Sequence, residues 1–245
     1  MHDNFFSQIY HQATKKFSRL VPMDSSKWPE EWKTTFYKTY LRFRKIDLLN
    51  VEMKSDFFEA VKSRSSKREM TGGKISKEEL SVLLKYSCGN IRREENGDWR
   101  RAYPSGGARY PIEIYGLLIN AGTGLEPGLF HYNVKSNQLE IMLKKQFLKK
   151  DLKQIAGYEF VESSSLIIFM TSVFWRNQNK YGDRGYRFIL QESGHIGQNF
   201  YLISEILGLK CCALGGFRVS DEEIEKILRI DGTTESLVYT LVIGK

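Results

Sequence analysis

Residues 184–207 constrain the fold more than any other part of this sequence. Their apolar side chains recur mostly at helical spacing, and Gly208 follows as a natural stop signal. A long helix that is apolar over much of its surface needs neighbours on several sides. We therefore expect this helix either at the centre of the fold or shared across an interface between two copies of the chain.

Segments around this helix predict strands and shorter helices in an irregular order. The apolar runs 112–119 and 166–171 are typical of buried strands, and 129–132 with 138–142 predicts a hairpin. Ser76 with Glu79 forms a capping box ahead of a helix. The irregular alternation favours an α+β fold over a regular βαβ array. Further helices are predicted over 53–61 and 148–155, and a closing strand over 237–243.

Residues 1–50 are aromatic and basic, and we expect them to form a partly helical arm that lies on the main body. Four aromatic residues at helical spacing predict that one face of this arm is buried. They are Trp32, Phe36, Tyr40 and Phe43. A chain of 245 residues fits one large domain with such an arm, so we divide it into an arm, 1–50, and a main domain, 51–245.

Composition and charge narrow the classes of function. No apolar run approaches the roughly 20 residues of a membrane-spanning helix, and no secretory signal is visible, so we expect a cytoplasmic location and no membrane partner. Lys and Arg total 37 against 29 Asp and Glu, a net charge of +8 that suits a phosphate-bearing cofactor or an acidic peptide. The basic residues are scattered, so nucleic acid is not expected as a partner.

The cysteines and histidines point to neither disulfides nor metal. Cys88, Cys211 and Cys212 have no metal-ligand spacing and cannot pair fully, which predicts reduced thiols. The four histidines are far apart, so no metal site is predicted.

The basic run 64–68 is the first group that can carry chemistry. Its two arginines, Arg64 and Arg68, can bind a phosphate, and Ser66 adds a neutral hydroxyl donor. A solvated basic turn is the alternative interpretation. The last residue, Lys245, likewise either reaches a phosphate or is solvated.

Two glycine-containing loops form a second kind of candidate. Glycines let a backbone approach a flat or anionic ligand closely. The loops contain Pro104, Ser105, Gly106 and Gly107, and later Gly215 and Gly216. The first loop lacks the endings of a Walker loop and of a dinucleotide-binding loop. An ordinary structural turn is the alternative.

Lys180 and Tyr181 precede the long helix and are suited to proton transfer. An amine can act as a base, and a neighbouring phenol can donate a hydrogen bond. A polar loop is the alternative interpretation.

The order and spacing of these groups resemble the flavin-dependent nitroreductase superfamily, and within it the SagB-type azoline dehydrogenases. Residues 101–111, Arg-Ala-Tyr-Pro-Ser-Gly-Gly-Ala-Arg-Tyr-Pro, are similar to the signature Arg-x-Tyr-Pro-Ser-Gly-Gly-Ala-x-Tyr-Pro. In 180–199, Lys-Tyr-x-x-Arg-Gly-Tyr-Arg leads into Glu-Ser-Gly-His and Gln-Asn. Segments 129–132 and 208–217 also resemble the family, and the resemblance covers about 55–245.

The resemblance implies a nitroreductase-like α+β fold, with a central mixed or antiparallel sheet flanked by helices, in an intertwined homodimer that binds FMN at its interface. The implied cofactor residues lie in five segments. They are Arg64, Ser66 and Arg68; Pro104, Ser105, Gly106 and Gly107; Gln198 and Asn199; Gly215 and Gly216 near flavin N5; and Lys245.

The implied activity is oxidation of thiazoline or oxazoline rings in a ribosomally made peptide to thiazole or oxazole. Lys180 would remove a ring proton, Tyr181 would orient the ring, and hydride would pass to flavin N5, with reoxidation by oxygen. The implied partners are the precursor peptide and cyclodehydratase proteins. The alternatives are an NAD(P)H-dependent nitroreductase or flavin reductase acting on small molecules, SagB-type oxidation of another peptide or amino-acid bond, and a non-enzymatic RNA-binding module.

Overall fold

In the computed structural model, the described residues are Tyr10, Pro29, and residues 36–52, 54–214 and 221–245. The strands are β1 (Arg44–Asp47), β2 (Asn90–Arg93), β3 (Trp99–Arg101), β4 (Ile112–Leu118), β5 (Gly128–Asn133), β6 (Gln138–Lys144), β7 (Leu166–Val173), β8 (Lys210–Ala213) and β9 (Glu235–Gly244). The helices are α1 (Phe57–Ser63), α2 (Lys77–Cys88), α3 (Lys149–Ala156), α4 (Trp175–Tyr181), α5 (Arg184–Ile206) and α6 (Asp221–Leu228). Short 3-10 turns cover Gly106–Ala108 and Glu159–Ser163.

Seven of these strands form one sheet in the order β1-β6-β5-β4-β7-β9-β8, and every neighbouring pair is antiparallel. Strands β2 and β3 form a separate hairpin. The arrangement confirms the predicted α+β class and the central antiparallel sheet. The intertwined homodimer stays a prediction.

Alternation along β4 shows how the sheet divides the molecule into layers. Ile112 and Ile114 face the core beneath α2 and α5, whereas Tyr115 and Leu117 face the core beneath α3 and α6. Successive side chains of a strand point to opposite sides, so a strand buried on both faces is apolar throughout. Glu113 interrupts this apolar run on the second face and is nevertheless buried.

Helix α5 confirms the predicted long helix and its central position. Its side chains Ile189, Ile196 and Phe200 are fully buried against the sheet. Its outer face, which includes Leu190 and Gln198, is exposed. None of the helices that the structure describes, α5 included, has the length and apolar character needed to cross a membrane.

The start of α2 confirms the predicted capping box. The Glu79 backbone N–H donates to Ser76 Oγ at 3.0 Å, and the Ser76 backbone N–H donates to the Glu79 carboxylate at 2.7 Å. Two N–H groups that a helix start leaves without partners are thereby satisfied, which stabilises the helix by about 1 kcal/mol.

Two predictions about the first 60 residues need correction. Residues 36–43 are not helical, and 44–47 continue as β1. Their aromatic residues pack on different clusters rather than on one helix face: Tyr37 contacts the α5 side of the core, and Tyr40 contacts the opposite side. The next helix begins at Phe57 rather than at 53, because the Asp56 side chain accepts from the N–H groups of the first turn. The rest of the arm lies outside the described residues.

The three cysteines are buried and unbonded, in agreement with the predicted reduced thiols. Burial raises the pKa of Cys211 to about 12 and also raises the pKa of Cys88, so neither thiol is a nucleophile near neutral pH.

Candidate functional site

The predicted site residues fall into two groups, one toward each end of α5. The arginine cluster (Arg64, Ser66 and Arg68) lies near Tyr201, and the lysine–tyrosine cluster (Gly106, Gly107, Lys180 and Tyr181) lies near Phe188. A helix rises about 1.5 Å per residue, so Phe188 and Tyr201 are about 20 Å apart along its axis. Within one chain the two clusters therefore remain separate.

The arginine cluster is organised around the Tyr201 ring. The Arg64 guanidinium lies 5.4 Å from the ring centroid, and Ser66 Oγ lies 3.0 Å from the Tyr201 hydroxyl. That hydroxyl also accepts from the Ala213 backbone N–H at 2.7 Å. The basic run is thereby fixed between α5 and β8.

Lys67 completes this attachment of the basic run to α5 and β8. Its amine pairs with the Glu205 carboxylate at 2.6 Å, and its backbone N–H donates to the Cys211 carbonyl at 3.0 Å. Arg64 is half-buried and Arg68 is exposed, close enough to Cys212 to oppose the effect of burial on the pKa of that thiol. Two guanidinium groups and a hydroxyl on one segment of fixed position are a suitable arrangement for binding a phosphate.

Lys245 lies against residues 71–73 and the start of α2. Its ammonium pairs with the Glu79 carboxylate at 2.9 Å, and its carbonyl accepts from the Thr71 hydroxyl at 2.9 Å. This ammonium already has an anionic partner, so its predicted contact with a phosphate would require exchange of that partner.

The lysine–tyrosine cluster is built against Gly107. A side-chain carbon at this glycine would lie 2.7 Å from the Tyr181 hydroxyl oxygen and 3.0 Å from Lys180 Nζ. The Lys180 amine also lies 5.3 Å from the centre of the Tyr181 ring, which packs edge-on against Phe188 at 5.0 Å. The structure therefore brings the predicted catalytic pair and the predicted glycine loop into contact.

The loop that carries Gly107 has an unusual backbone. Gly107, Ala108 and Tyr110 have φ values of +65°, +54° and +48°. Left-handed backbone costs a residue other than glycine roughly 1 kcal/mol, so the loop stores strain at two positions. The Tyr110 backbone N–H donates to Ser105 Oγ at 2.9 Å and holds the loop closed. Strain of this kind is typical of functional sites.

Glu192 and Asn177 are buried beneath this loop without well-formed hydrogen bonds among the described residues. Burial raises the pKa of Glu192 to about 8, against weaker opposing effects of Ser105, Arg101 and Arg176. Asn177 Nδ2 lies 3.7 Å from the position that a side-chain carbon at Gly106 would occupy. Buried polar groups without well-formed hydrogen bonds are rare and require an explanation, such as a water molecule, an ion or a ligand. Sequence reasoning assigned no role to either residue.

Arg176 is a further residue that sequence reasoning missed. It lies in the first turn of α4, and its guanidinium donates to the Glu113 carboxylate at 2.5 Å and to the Tyr110 carbonyl at 3.2 Å. One signal was available, because a glutamate inside an apolar strand requires a buried partner. The spacing of Arg176 and Lys180, one helical turn apart, is another.

A cavity of about 580 Å³ opens beside the loop, between Ser105 and Gly107 on one wall and the β2–β3 hairpin on the other. Ile91, Arg92 and Arg100 line the hairpin wall. Cavities of roughly 300–1,000 Å³ accommodate small molecules or parts of larger ones.

The remaining predicted residues are less directly placed. Gln198 lies on the exposed face of α5. Asn199 Nδ2 donates to the Ser87 carbonyl at 3.2 Å and to the Ala102 carbonyl at 3.0 Å, so it connects α5 to α2 and to the start of the loop. Gly215 and Gly216 lie outside the described residues.

Among known proteins, this chain is similar to a candidate nitroreductase and to two processing proteins. MJ1384 of Methanocaldococcus jannaschii, named as a candidate nitroreductase, is 30% identical over 167 residues, which is 68% of this chain and 81% of that protein. The trifolitoxin-processing protein TfxB of Rhizobium leguminosarum bv. trifolii is 29% identical over 70% of this chain and 48% of its own length. The microcin B17-processing protein McbC of Escherichia coli is 33% identical over 56% and 52%. The chain thus spans about half the length of TfxB and McbC.

Solved structures show the same fold. A candidate nitroreductase from Anabaena variabilis superposes with a TM-score of 0.73 and 28% identity, over 97% of this chain and 45% of that one. A chain of the Escherichia coli microcin synthetase McbBCD complex with truncated pro-MccB17 bound superposes with a TM-score of 0.61 and 22% identity, over 96% and 86%. A candidate nitroreductase from Exiguobacterium sibiricum in complex with FMN gives 0.54 and 19%, over 79% and 90%.

The family assignment follows from a match over most of the chain. The model of the nitroreductase family matches residues 61–245, which include every predicted site residue. Members of this family bind FMN, and the predicted cofactor is confirmed at that level. The fold and this match agree, and the chain belongs to the nitroreductase family.

Proposed function

We propose that this chain is an FMN-dependent dehydrogenase that oxidises thiazoline or oxazoline rings of a ribosomally synthesised peptide to thiazole or oxazole. The observation that carries the proposal is the convergence of Lys180 Nζ and the Tyr181 hydroxyl on Gly107. A base and a hydrogen-bond donor side by side on an open backbone loop are what proton abstraction from a flat ring requires. Similarity to the processing proteins TfxB and McbC supports a peptide substrate.

The residues present suit FMN as the cofactor. The arginine cluster offers two guanidinium groups and Ser66 Oγ to a phosphate. At the other end of α5, Gly107 leaves its backbone uncovered by a side chain beside Lys180. In our proposal Gly106 and Gly107 contact the flavin ring, and the cofactor contact of Gly215 and Gly216, which lie outside the described residues, stays a prediction from the sequence.

The separation of the two clusters supports a homodimer. A distance of about 20 Å along α5 leaves each cluster with half of the predicted cofactor contacts. In a two-fold dimer, the lysine–tyrosine cluster of one copy can meet the arginine cluster of the other. The exposed outer face of α5, with Leu190 at 41% exposure, is available for such pairing.

Each catalytic side chain then has a defined task. Lys180 takes the proton from the ring carbon, and the Tyr181 hydroxyl donates a hydrogen bond that orients and polarises the ring. When bound, FMN would supply the acceptor for the hydride from the neighbouring ring carbon, with oxygen as the proposed final oxidant. The ring loses two hydrogens in total, one as the proton on Lys180 and one as the hydride.

The partners in this proposal are the precursor peptide and the cyclodehydratase proteins that form the azoline rings. The cavity beside Ser105 and Gly107 can admit a peptide ring together with its flanking residues. The cytoplasmic location stays a prediction.

Replacement of Lys180 by Ala tests the proposal. General base catalysis contributes roughly 100- to 10,000-fold, so K180A should retain its yellow colour and lose activity by about that factor. The measurement is the mass of an azoline-containing peptide after incubation, since each oxidation removes two hydrogens. Lys226→Ala, on α6 at the opposite face of the sheet, is the matched control and should retain full activity. Normal turnover by K180A contradicts the proposed role of Lys180.

A nitroreductase or flavin reductase acting on small molecules is the second candidate. MJ1384 favours it, because its similarity to this chain extends over 81% of its own length. NADPH oxidation that depends on a nitroaromatic compound, without mass loss from azoline peptides, would identify this activity. Mass loss of two hydrogens from a peptide that lacks azolines would instead identify oxidation of another peptide or amino-acid bond.

A further inference from the structure

A buried chain of charges with alternating sign runs from β1 to α4. Lys45 Nζ lies 3.2 Å from Glu140, whose carboxylate lies 2.9 Å from His131 Nδ1. His131 Nε2 lies 2.9 Å from Glu113, which pairs with Arg176 at 2.5 Å. The side chains of these residues other than Lys45 are at most 6% exposed. The chain thus connects the edge of the sheet with the helix that carries Lys180.

His131 is the central charge of this chain. Both ring nitrogens lie at hydrogen-bond distance from carboxylates, which only accept when ionised, so both nitrogens carry protons. Burial alone would lower the pKa of His131, and the two glutamates outweigh it and raise that pKa. Burial alone would raise the pKa of Glu113, but Arg176 and His131 lower it to about 2. The geometry and the pKa directions agree on an imidazolium between two carboxylates.

Arg176 is the end of the chain that reaches the site. Its guanidinium joins Glu113 of β4 to the Tyr110 carbonyl, which closes the strained loop around Gly107. It also belongs to the same helix as Lys180 and lies one turn before it. A single side chain therefore fixes both the loop and the helix whose contact forms the lysine–tyrosine cluster.

We propose that Arg176 is a positioning residue for Lys180 and Tyr181, and that the buried chain Glu113–His131–Glu140 holds Arg176 in place. The inference rests on the proposed function for its catalytic consequence. The anchoring of α4 is independent of the substrate and is tested separately. Helix α4 has seven residues and its N-cap side chain makes no hydrogen bond, so propensity alone does not hold it.

A second buried carboxylate on the same face of the sheet provides a matched control. Glu235 accepts from the Tyr115 hydroxyl at 3.0 Å and from the Thr171 hydroxyl at 2.6 Å, and it pairs with Lys38. Its exposure of 7% is close to the 4% of Glu113. Among the described residues, the side-chain hydrogen bonds and the ion pair of Glu235 involve Lys38, β4 and β7, and none of them involves α4.

Hydrogen exchange of the FMN-loaded protein tests the anchoring directly. Glu113→Gln and Arg176→Met should each raise the exchange of the α4 amides by at least about tenfold, because opening of the helix becomes easier, and should leave α2 unchanged. Glu235→Gln should leave α4 at the wild-type rate. If the first two variants do not fold, Arg176→Lys keeps the charge beside Glu113 but offers one ammonium to two acceptors, and it should show a smaller increase confined to α4.

Kinetics test the catalytic consequence. Under anaerobic conditions, the rate of flavin reduction by an azoline peptide should fall at least about tenfold in Arg176→Met, with KM within about twofold and the flavin content unchanged. Arg176→Lys should restore part of this rate. Reduction of the same flavin by dithionite should be unaffected, because it does not use Lys180.

The outcomes separate the two proposals. Folded Glu113→Gln and Arg176→Met proteins that exchange α4 at the wild-type rate overturn the anchoring role. An equal effect of Glu235→Gln also overturns it, because general loosening of the sheet would then explain the data. A wild-type protein that oxidises no azoline peptide refutes the proposed function, while the exchange data still decide whether Arg176 anchors α4.

Discussion

The two ends of α5 carry the two clusters, and they differ in how completely their polar groups are satisfied. In the arginine cluster the Tyr201 hydroxyl has two partners, and Lys67 is paired with Glu205. Beneath the lysine–tyrosine cluster, Glu192 and Asn177 are buried without well-formed hydrogen bonds, under a loop with strained backbone. The polar groups at the arginine cluster are paired within the chain, whereas the lysine–tyrosine cluster combines buried polar groups with backbone strain, which is typical of functional sites.

Gly107→Ala, in the lysine–tyrosine cluster, should produce the largest effect. The added carbon would lie 2.7 Å from the Tyr181 hydroxyl oxygen, and the alanine would have to adopt a φ of +65°. Displacement of a catalytic group by about 1 Å can cost roughly 100-fold in rate, and we expect at least that loss in oxidation of an azoline peptide. Gly194→Ala, where the added carbon meets nothing within 4 Å, is the matched control on the exposed face of α5. Equal activity of the two variants would contradict the contact at Gly107.

Glu192→Gln should change the dependence of stability on pH. Because the pKa of Glu192 is raised to about 8 in the folded protein, its contribution to stability is present below its ordinary pKa of 4.5 and is lost as pH rises through about 8. The neutral amide removes this loss, so the variant should be more stable than wild type at pH 9 by up to about 5 kcal/mol and similar at pH 4.

Urea unfolding at the two pH values measures this difference. Glu223→Gln, an exposed position on α6, should show no such dependence. A Glu192→Gln protein that is less stable than wild type at pH 9 would indicate that partners stabilise the ionised carboxylate, which contradicts the raised pKa.

Arg64→Ala tests the predicted phosphate contact of the arginine cluster. Removal of a guanidinium that contacts a phosphate should weaken FMN binding by about tenfold, as judged from the quenching of flavin fluorescence on titration. Lys67→Ala should bind FMN nearly as well as wild type, because its amine is paired with Glu205. Greater weakening by Lys67→Ala than by Arg64→Ala would reverse the assignment of the phosphate contacts.

Tyr201→Phe should have the smallest effect and should be measurable without cofactor. The change leaves the Ala213 backbone N–H without its 2.7 Å acceptor, which costs about 1 kcal/mol in the free energy of unfolding. Urea denaturation measures that loss. An unchanged midpoint would mean that water or a neighbouring group replaces the hydroxyl.

Local patterns in the sequence predicted most of the fold and part of the site. The Ser76–Glu79 capping box and the apolar periodicity of α5 are local signals, and both elements were predicted with their positions. Helical spacing failed at Phe36–Phe43, because Tyr37 and Tyr40 pack on clusters from opposite sides of the sheet. Packing on distant residues is not encoded in spacing along the chain.

The site shows the same division. The contact of Lys180 with Gly107 joins residues 73 positions apart, and the predicted pair and loop came from motifs rather than from geometry. Arg176 and Glu192 act through burial, which depends on Glu113, Ser105 and other residues far away in sequence. The sequence offered only indirect signals for Arg176, and the burial of Glu192 became visible only in the folded chain.

Asn199 connects the two ends of α5 through its hydrogen bonds. Its side-chain amide donates to the Ser87 carbonyl in the last turn of α2 and to the Ala102 carbonyl just ahead of the glycine loop. Asn199 lies two residues before Tyr201, within the same turn of α5. A ligand that displaces the loop would therefore also act on the turn of α5 that contacts the arginine cluster. Both acceptor carbonyls lie outside the seven-stranded sheet, so this connection between the loop and α5 does not involve the sheet.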